Sequence, residues 1–343
     1  MVQTDKKYPN KDIIVSVIVP CFNEENTIQL LLQALLNQNF QHERMEVVIA
    51  DALSEDQTIQ KILEFSAKKP PFEITIIENT KRTIPAAINL AAENSRGKYL
   101  IRLDAHSIPD RDYIRTSIEL LESGKAQNVG GTWNIQPGDQ SCVAKAIARA
   151  ASHLLGAGDA RYRISSKSGF VDTVPFGAFS KETFNQLGGF NEDLLSNEDY
   201  EFNARLIKNG GSVWLDSRIQ STYFARKNFI KLADQYKRYG FWKYQMLRLY
   251  PETLRMRQVI PPVFVISLMG LLFLSLFWSI ARIILGLVLA IYLGLLLVVS
   301  VFESIKRREV CYLYLFVAFA IMHFCWGSSF IYGMISYKKK RII

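Results

Sequence analysis

Three stretches near the C-terminus limit this chain more than any other feature. From Val259 to Ala281, Ile283 to Phe302 and Val310 to Tyr337 there is no Asp, Glu, Lys or Arg. Each stretch reaches the roughly 20 residues needed to cross hydrocarbon. The last quarter of the chain therefore belongs in a membrane, and the remainder must build any water-facing fold.

Charge follows the same division. The net charge of +9 raises the question of nucleic acid. Its basic residues, however, concentrate from Arg226 to Arg257, in Lys306-Arg307-Arg308 and in Lys338-Lys339-Lys340-Arg341. These positions flank the apolar spans, where cations meet anionic headgroups and follow the positive-inside rule. The partner they imply is the lipid bilayer, with no nucleic acid. The polar start, MVQTDKKYPNKD, has no signal-peptide core. Residues before about 255 are expected in the cytosol and the chain in the cytoplasmic membrane. Cys21, Cys142, Cys311 and Cys325 show no metal spacing or disulfide framework, and as cytosolic thiols they are expected to stay reduced. His323 is the one ionisable side chain inside a span, which argues against a channel or transporter.

Ahead of the spans, β-branched runs alternate with helical periodicity. Ile13 to Val19 reads as a strand closed by Pro20-Cys21-Phe22-Asn23, with Asn26 capping a helix that turns Leu30, Leu31, Ala34 and Leu35 to one face. Met45 to Ala50 repeats the strand, with a helix near Gln57 to Ala67. Ile74 to Ile77 is a third strand, Pro85 suits the first turn of a helix running to about Asn94 that Gly97 ends, and Lys98 to Leu103 is a fourth strand. This alternation predicts an α/β fold with a mostly parallel sheet flanked by helices. Beyond it we expect a helix to about Ser123, a strand at Asn128 to Trp133 and a helix at Val143 to Leu155. An extended segment at Phe170 to Phe179 precedes helices at Lys181 to Leu187 and Glu198 to Lys208. The expected domains are a tail at 1–12, a catalytic domain at 13–228, a basic and aromatic interfacial helix at 229–258, a membrane region at 259–337 and a basic tail at 338–343.

Acidic residues stand where strands should end, and ligands of open α/β sheets gather at the carboxyl ends of strands. Asp51 can accept from a base N–H or a ribose hydroxyl; by itself it reads more often as a helix cap. Asp104 and His106, two positions apart beyond a strand, can converge on a divalent cation bridging a diphosphate. Oxygen suits Mg²⁺ or Mn²⁺, and imidazole leans toward Mn²⁺. Glu198-Asp199 either favours the positive end of a helix dipole or offers a base, Asp199, beside a residue that orients the acceptor. Arg82 and Arg238 can meet phosphates, and Trp242 can stack on a sugar; a solvated arginine and a plain interfacial helix are the plainer readings.

Taken together, Val17-Ile18-Val19-Pro20-Cys21-Phe22-Asn23-Glu24, Asp51 with Ser54 and Asp56, Asp104-Ala105-His106, Gly188 to Glu192, Glu198-Asp199 and Gln235 to Arg238 resemble family 2 glycosyltransferases of the GT-A fold. Arg102-Leu103-Asp104-Ala105-His106, Val174 to Phe179 and Asn197 to Tyr200 are most similar to the bacterial exopolysaccharide enzymes of that family. The resemblance covers roughly Ile13 to Tyr250. The pattern departs at His106, where a second Asp is usual, and at Tyr239, where processive synthases have Trp.

The resemblance implies an inverting, metal-dependent transfer of a sugar, glucose first, from a UDP-sugar to a hydroxyl on a polyprenyl-diphosphate-linked oligosaccharide, alongside other polysaccharide-assembly proteins. It places Pro20, Asn23, Glu24, Asp51, Arg82, Asp104 and Arg238 on the nucleotide sugar and Asp104 and His106 on the cation. Asp199, with Glu198, takes the catalytic role, and Phe176, Gly177, Glu198 and Trp242 lie on the acceptor side. Two rivals stand beside it, a polyprenyl-phosphate sugar synthase and a non-catalytic scaffold that binds nucleotide sugar. The basic tail leaves open whether the third apolar segment, with Gly327-Ser328-Ser329 inside it, crosses the membrane or re-enters.

Overall fold

Alternating side chains of the first two strands serve two cores. Val15, Val17 and Val19 join Met45, Val47 and Ile49 on one face. Ile18 joins Val48 and Ala50 on the other, with Phe179, Phe184, Phe190 and Phe202. A strand clad by helices on both faces buries both sets of its side chains. This computed structural model describes residues 12–164 and 167–336. The expected basic tail and nearly all of the N-terminal tail lie outside those residues.

In chain order the elements begin β1 (Val15–Cys21), α1 (Ile28–Leu36), β2 (Met45–Asp51), α2 (Thr58–Ala67), β3 (Glu73–Glu78), α3 (Ile84–Glu93) and β4 (Tyr99–Arg102). There follow β5 (Ile108–Pro109), α4 (Tyr113–Glu122), β6 (Asn128–Gln136), α5 (Cys142–Ala151), α6 (Leu154–Ala157) and α7 (Arg161–Ile164). Next come β7 (Gly169–Phe170), β8 (Ala178–Ser180), α8 (Lys181–Leu187), α9 (Glu198–Lys208) and β9 (Val213–Phe224). The chain closes with α10 (Phe229–Leu249), α11 (Met256–Ser275), α12 (Ser279–Arg307) and α13 (Leu315–Ile335).

The sheet runs β3-β2-β1-β4-β8-β6-β9-β5, with β7 on β9. Its β1, β2, β3 and β4 pairings are parallel, as the alternation predicts. The β8 pairings with β4 and β6, and the β9 pairings with β5 and β7, are antiparallel, so the sheet is mixed. The strand β9 has no counterpart among the expected elements, although buried Val213, Leu215, Ile219 and Tyr223 give it a period-2 signal. Asn26 does not cap α1: Thr27 occupies that position, its hydroxyl bonded to Glu24 and not to the helix, and Leu30 is exposed while Ile28 and Leu32 are buried. Gly97 does not end α3 either. A Cβ there would lie 2.5 Å from the Ser16 backbone nitrogen, and the Gly97 N–H donates to Ser16 Oγ at 2.8 Å. Glycine is needed for close approach of two backbones.

The chain divides into two compact units, residues 12–134 with 167–223 and residues 135–164 with 224–336. The first holds most of the sheet. The second holds the three apolar helices, each long and apolar enough to cross a membrane. The break between the first two falls at 276–278, and Arg282 sits in the first turn of α12. In this unit α5 presents Cys142, Lys145 and Arg149 on one face. Arg149 Nε pairs with Glu303 at 2.7 Å, Lys145 pairs with Glu309, and Cys142 is disulfide-bonded to Cys311. That bond corrects the expectation of four reduced thiols: its partners are 169 residues apart, and only the fold brings them together. Cys21 and Cys325 are free. Helix α13 runs unbroken through Gly327-Ser328-Ser329.

Candidate active site

Four loops leave the carboxyl ends of β1, β2, β3 and β4 on the same edge of the sheet. The backbone there is unusually strained. Asn23, Leu53 and Arg82 follow the first three strands with φ of 53°, 61° and 53°, and Phe176 and Asn197 precede β8 and α9 with φ of 50° and 66°. Left-handed non-glycine residues are uncommon, and they persist where surrounding structure holds them, often at functional sites.

The β1 and β2 loops are laced together. Asp51, buried at the end of β2, accepts from the Ser54 N–H at 2.8 Å and from the Ser54 hydroxyl at 2.5 Å. Ser54 Oγ accepts the Asn23 N–H at 2.9 Å, and Asn23 Oδ1 accepts the Glu55 N–H at 2.9 Å. Asp51 is therefore not a helix cap; it builds the loop that follows its strand. The capping bonds at α2 come from Asp56, which accepts the Thr58 N–H at 2.9 Å. Arg82 reaches the same loops, 3.3 Å from Glu55 and with its guanidinium 4.9 Å from the exposed Phe22 ring. Pro20 is buried within β1 and pairs in register with Ala50.

Asp104 and His106 lie on the turn between β4 and β5, where the Ser107 N–H donates to Asp104 O at 2.9 Å. Glu24 Oε1 lies 2.8 Å from His106 Nδ1. A carboxylate on Nδ1 fixes the tautomer that leaves a lone pair on Nε2, the usual support for a metal-ligating histidine. The donor chemistry thus fits a divalent cation. Among the described residues no three His, Cys, Asp or Glu side chains converge as a complete ligand set. Two protein donors suit a cation that takes its other ligands from a diphosphate and water.

The carboxylates of Asp104, Glu198 and Asp199 meet on one side chain that the sequence pattern does not single out as functional, Arg102. Its Nη2 lies 2.9 Å from Glu198 Oε1 and 3.1 Å from Asp104 Oδ1, its Nε is 3.3 Å from the same Asp104 oxygen, and its Nη1 pairs with Asp199. The guanidinium is almost wholly buried. Burial alone would lower its pKa, but the charges of Asp199, Asp104 and Glu198 more than offset this and hold it well above the ordinary value. Burial, reinforced by Glu198 and Asp104 and opposed by Arg102, pushes Asp199 up to about 7. A quarter of the Asp199 side chain still meets solvent. That opening weakens the upward push without removing it. The signal for Arg102 in the sequence is a lone charge in the otherwise apolar run Tyr99 to Leu103.

Phe176 and Gly177 act here through their backbones. The buried Tyr113 hydroxyl donates to Phe176 O at 2.9 Å, and the Arg102 N–H donates to Gly177 O at 3.1 Å. The Phe176 ring packs 5.6 Å from Trp133. Arg238, exposed, and Trp242, half-buried, lie on α10 in the second unit.

Residues 16–188 match the glycosyl transferase family 2 pattern. A Methanococcus voltae protein, dolichyl N-acetyl-alpha-D-glucosaminyl phosphate 3-beta-D-2,3-diacetamido-2,3-dideoxy-beta-D-glucuronosyltransferase, is 30% identical across 94% of this chain and 97% of its own. The succinoglycan biosynthesis protein ExoA of Rhizobium meliloti (strain 1021) is 27% identical across 94% of this chain and 96% of its own. The mannosyltransferase PcManGT from Pyrobaculum calidifontis, solved with GDP-Man and Mn²⁺, superposes with a TM-score of 0.61 at 18% identity over 92% of this chain and 88% of its own. That likeness identifies the fold as GT-A. With the family pattern spanning half of the sequence and a relative matched along nearly its full length, the chain belongs to glycosyl transferase family 2.

Proposed function

We propose that this protein is a membrane-bound inverting glycosyltransferase that moves a sugar from a UDP-sugar, glucose first, to a hydroxyl of a polyprenyl-diphosphate-linked oligosaccharide. The product would enter exopolysaccharide or another cell-surface glycan. The observation that carries this reading is the cluster at the strand ends, where Asp199 stands with a raised pKa beside Asp104. A carboxylate with a pKa near the working pH is suited to take a proton from an attacking hydroxyl.

In this scheme Asp199 accepts the acceptor's hydroxyl proton while that oxygen attacks the anomeric carbon from the face opposite the nucleotide. The bond from the sugar to the diphosphate breaks and its electron pair leaves with UDP, so configuration inverts. Glu198 orients the acceptor. Asp51, Asn23, Glu24 and Pro20 shape the loops that take the nucleoside, and Arg82 meets its phosphates. A divalent cation, Mn²⁺ or Mg²⁺, bound by Asp104 and His106, would supply the charge that offsets the leaving diphosphate. Arg238 as a phosphate contact and Trp242 as an acceptor platform rest on motif alone. The lipid-linked sugar in the name of the Methanococcus relative, and the succinoglycan in that of ExoA, support a glycan acceptor over bare polyprenyl phosphate.

We place the catalytic domain in the cytosol and count two membrane crossings, α11 and α12; the packing of α13 within the second unit supports that count. Helix α13 packs on one side against elements adjoining the catalytic domain in sequence. His323 Nε2 is 2.8 Å from Leu155 O, Ser329 Oγ donates to Lys237 O at 2.5 Å, and Cβ atoms at Gly240 and Gly327 would meet Trp326 O at 2.3 Å and Pro261 O at 2.6 Å. Gly327 thus approaches α11 near its first turns, which keeps this part of α13 at the end where α11 begins. This arrangement keeps Lys306 to Arg308 and the end of α13 on one side.

The test is turnover of a UDP-sugar panel by membranes carrying the parent or Asp199→Asn, with Mn²⁺ or Mg²⁺ and endogenous lipid acceptor. Metal-dependent transfer by the parent, cut to a small residual rate in the variant, supports the reading. Equal transfer by both removes Asp199 as the base, and no transfer with any donor removes the proposed reaction.

A further inference from the structure

Asp104 follows β4 and the Glu198-Asp199 pair opens α9, with 96 residues from Arg102 to Glu198, and one guanidinium holds them together. Its placement is fixed from behind. Arg102 is the last residue of β4, two positions before Asp104, and its backbone N–H is bonded to Gly177 O at 3.1 Å. Its side chain is 3% exposed, so it contributes nothing to solubility. A buried arginine destabilises a fold unless its donors are matched, and here they are matched by three carboxylates.

We propose that Arg102 is the positioning residue of the transfer reaction, aligning Asp199 on the acceptor hydroxyl and linking that alignment to the state of Asp104. This rests on the reading of Asp199 as the base. The guanidinium grips its partners unequally: Glu198 is 2.9 Å away and Asp199 is in direct contact, whereas Asp104 is 3.1 and 3.3 Å away. The hold is firm on the acceptor side and loose on the donor side. Were Asp104 to be engaged by a cation and its nucleotide, the arginine would give up its longer contacts there and remain on Glu198 and Asp199. With three carboxylates against one guanidinium, two negative charges stay uncompensated while all are ionised, which favours arrival of a divalent cation. Lysine would keep the charge but lose the planar fork that serves three carboxylates at once.

The experiment compares Arg102→Lys with the parent in full-length enzyme in membranes, each also in an Asp199→Asn background. UDP-glucose, or the panel's active UDP-sugar, is the donor, and UDP with Mn²⁺ is the binding probe. Arg102→Lys should lower kcat about 10²-fold, the scale of an ångström-level misplacement. Donor KM and UDP affinity should change by less than roughly threefold. In the Asp199→Asn background the same change should add little, because residues that act as a unit are not additive. Unchanged kcat, an equal loss of UDP affinity, or a full multiplicative loss in both backgrounds overturns the positioning role. Should Arg102→Lys fail to accumulate in the membrane, Glu198→Gln serves instead: it releases the 2.9 Å contact and should show the same kcat-specific, non-additive loss. Here additivity overturns the role. Parent activity that survives Asp199→Asn strikes at the assigned base, a separate failure.

Discussion

Asp199 and Arg102 are in direct contact across 97 residues of sequence, the first residues of α9 meeting the last residue of β4. The contact places a carboxylate at the end of the parallel half of the sheet, within one guanidinium of Asp104. Burial and neighbouring acids raise its proton affinity, and Arg102 restrains the rise.

The pH dependence follows from that raised value. A base must be deprotonated to act, so kcat/KM should climb with pH and level off above about 7, where Asp199 ionises. Initial rates between pH 5.5 and 9 check this. The rising limb should vanish in Asp199→Asn; the same limb in that variant would assign it to another group.

Ser54 joins the β1 and β2 loops through Asp51 and Asn23. Ser54→Ala removes the hydroxyl from both contacts. Loss of one to two such bonds, each about 1 kcal/mol, should weaken UDP binding roughly five- to thirtyfold with the fold intact. Titration calorimetry measures this, and unchanged affinity would separate the loops from nucleotide recognition.

Metal preference should follow His106. Replacing its imidazole with a second carboxylate, His106→Asp, should shift the ratio of Mn²⁺- to Mg²⁺-supported rate toward Mg²⁺. A ratio identical to that of the parent would place His106 outside the coordination shell.

Gly97→Ala should destabilise without touching the site. The new Cβ would lie 2.5 Å from Ser16 N and 2.6 Å from Ser16 Oγ, so β1 must shift. Overpacking of this kind is worth about 1–3 kcal/mol. A lower midpoint in thermal unfolding, with UDP affinity retained below it, is the expected result.

Two crossings predict sidedness. Cysteines introduced as Trp278→Cys, between α11 and α12, and Ser336→Cys, beyond α13, should react with an impermeant maleimide from opposite faces of oriented vesicles. Labelling of both from one face would mean that α13 crosses.

The sequence by itself determined the apolar spans, because the absence of charge over a membrane's thickness needs no partner to be read. It also determined the parallel strands and the residues closing them, since period and strand ends are local properties. Helices α8 and α9 fall at the expected bounds for the same reason. Only the tertiary structure decided that Arg102 joins Asp104 to Glu198-Asp199, that Gly97 serves a close approach, that Cys142 meets Cys311, and that α13 lies among α5, α6 and α10. Each of these depends on which distant segments become neighbours, and hydrophobic period, the strongest local signal, carries no record of pairing across that separation.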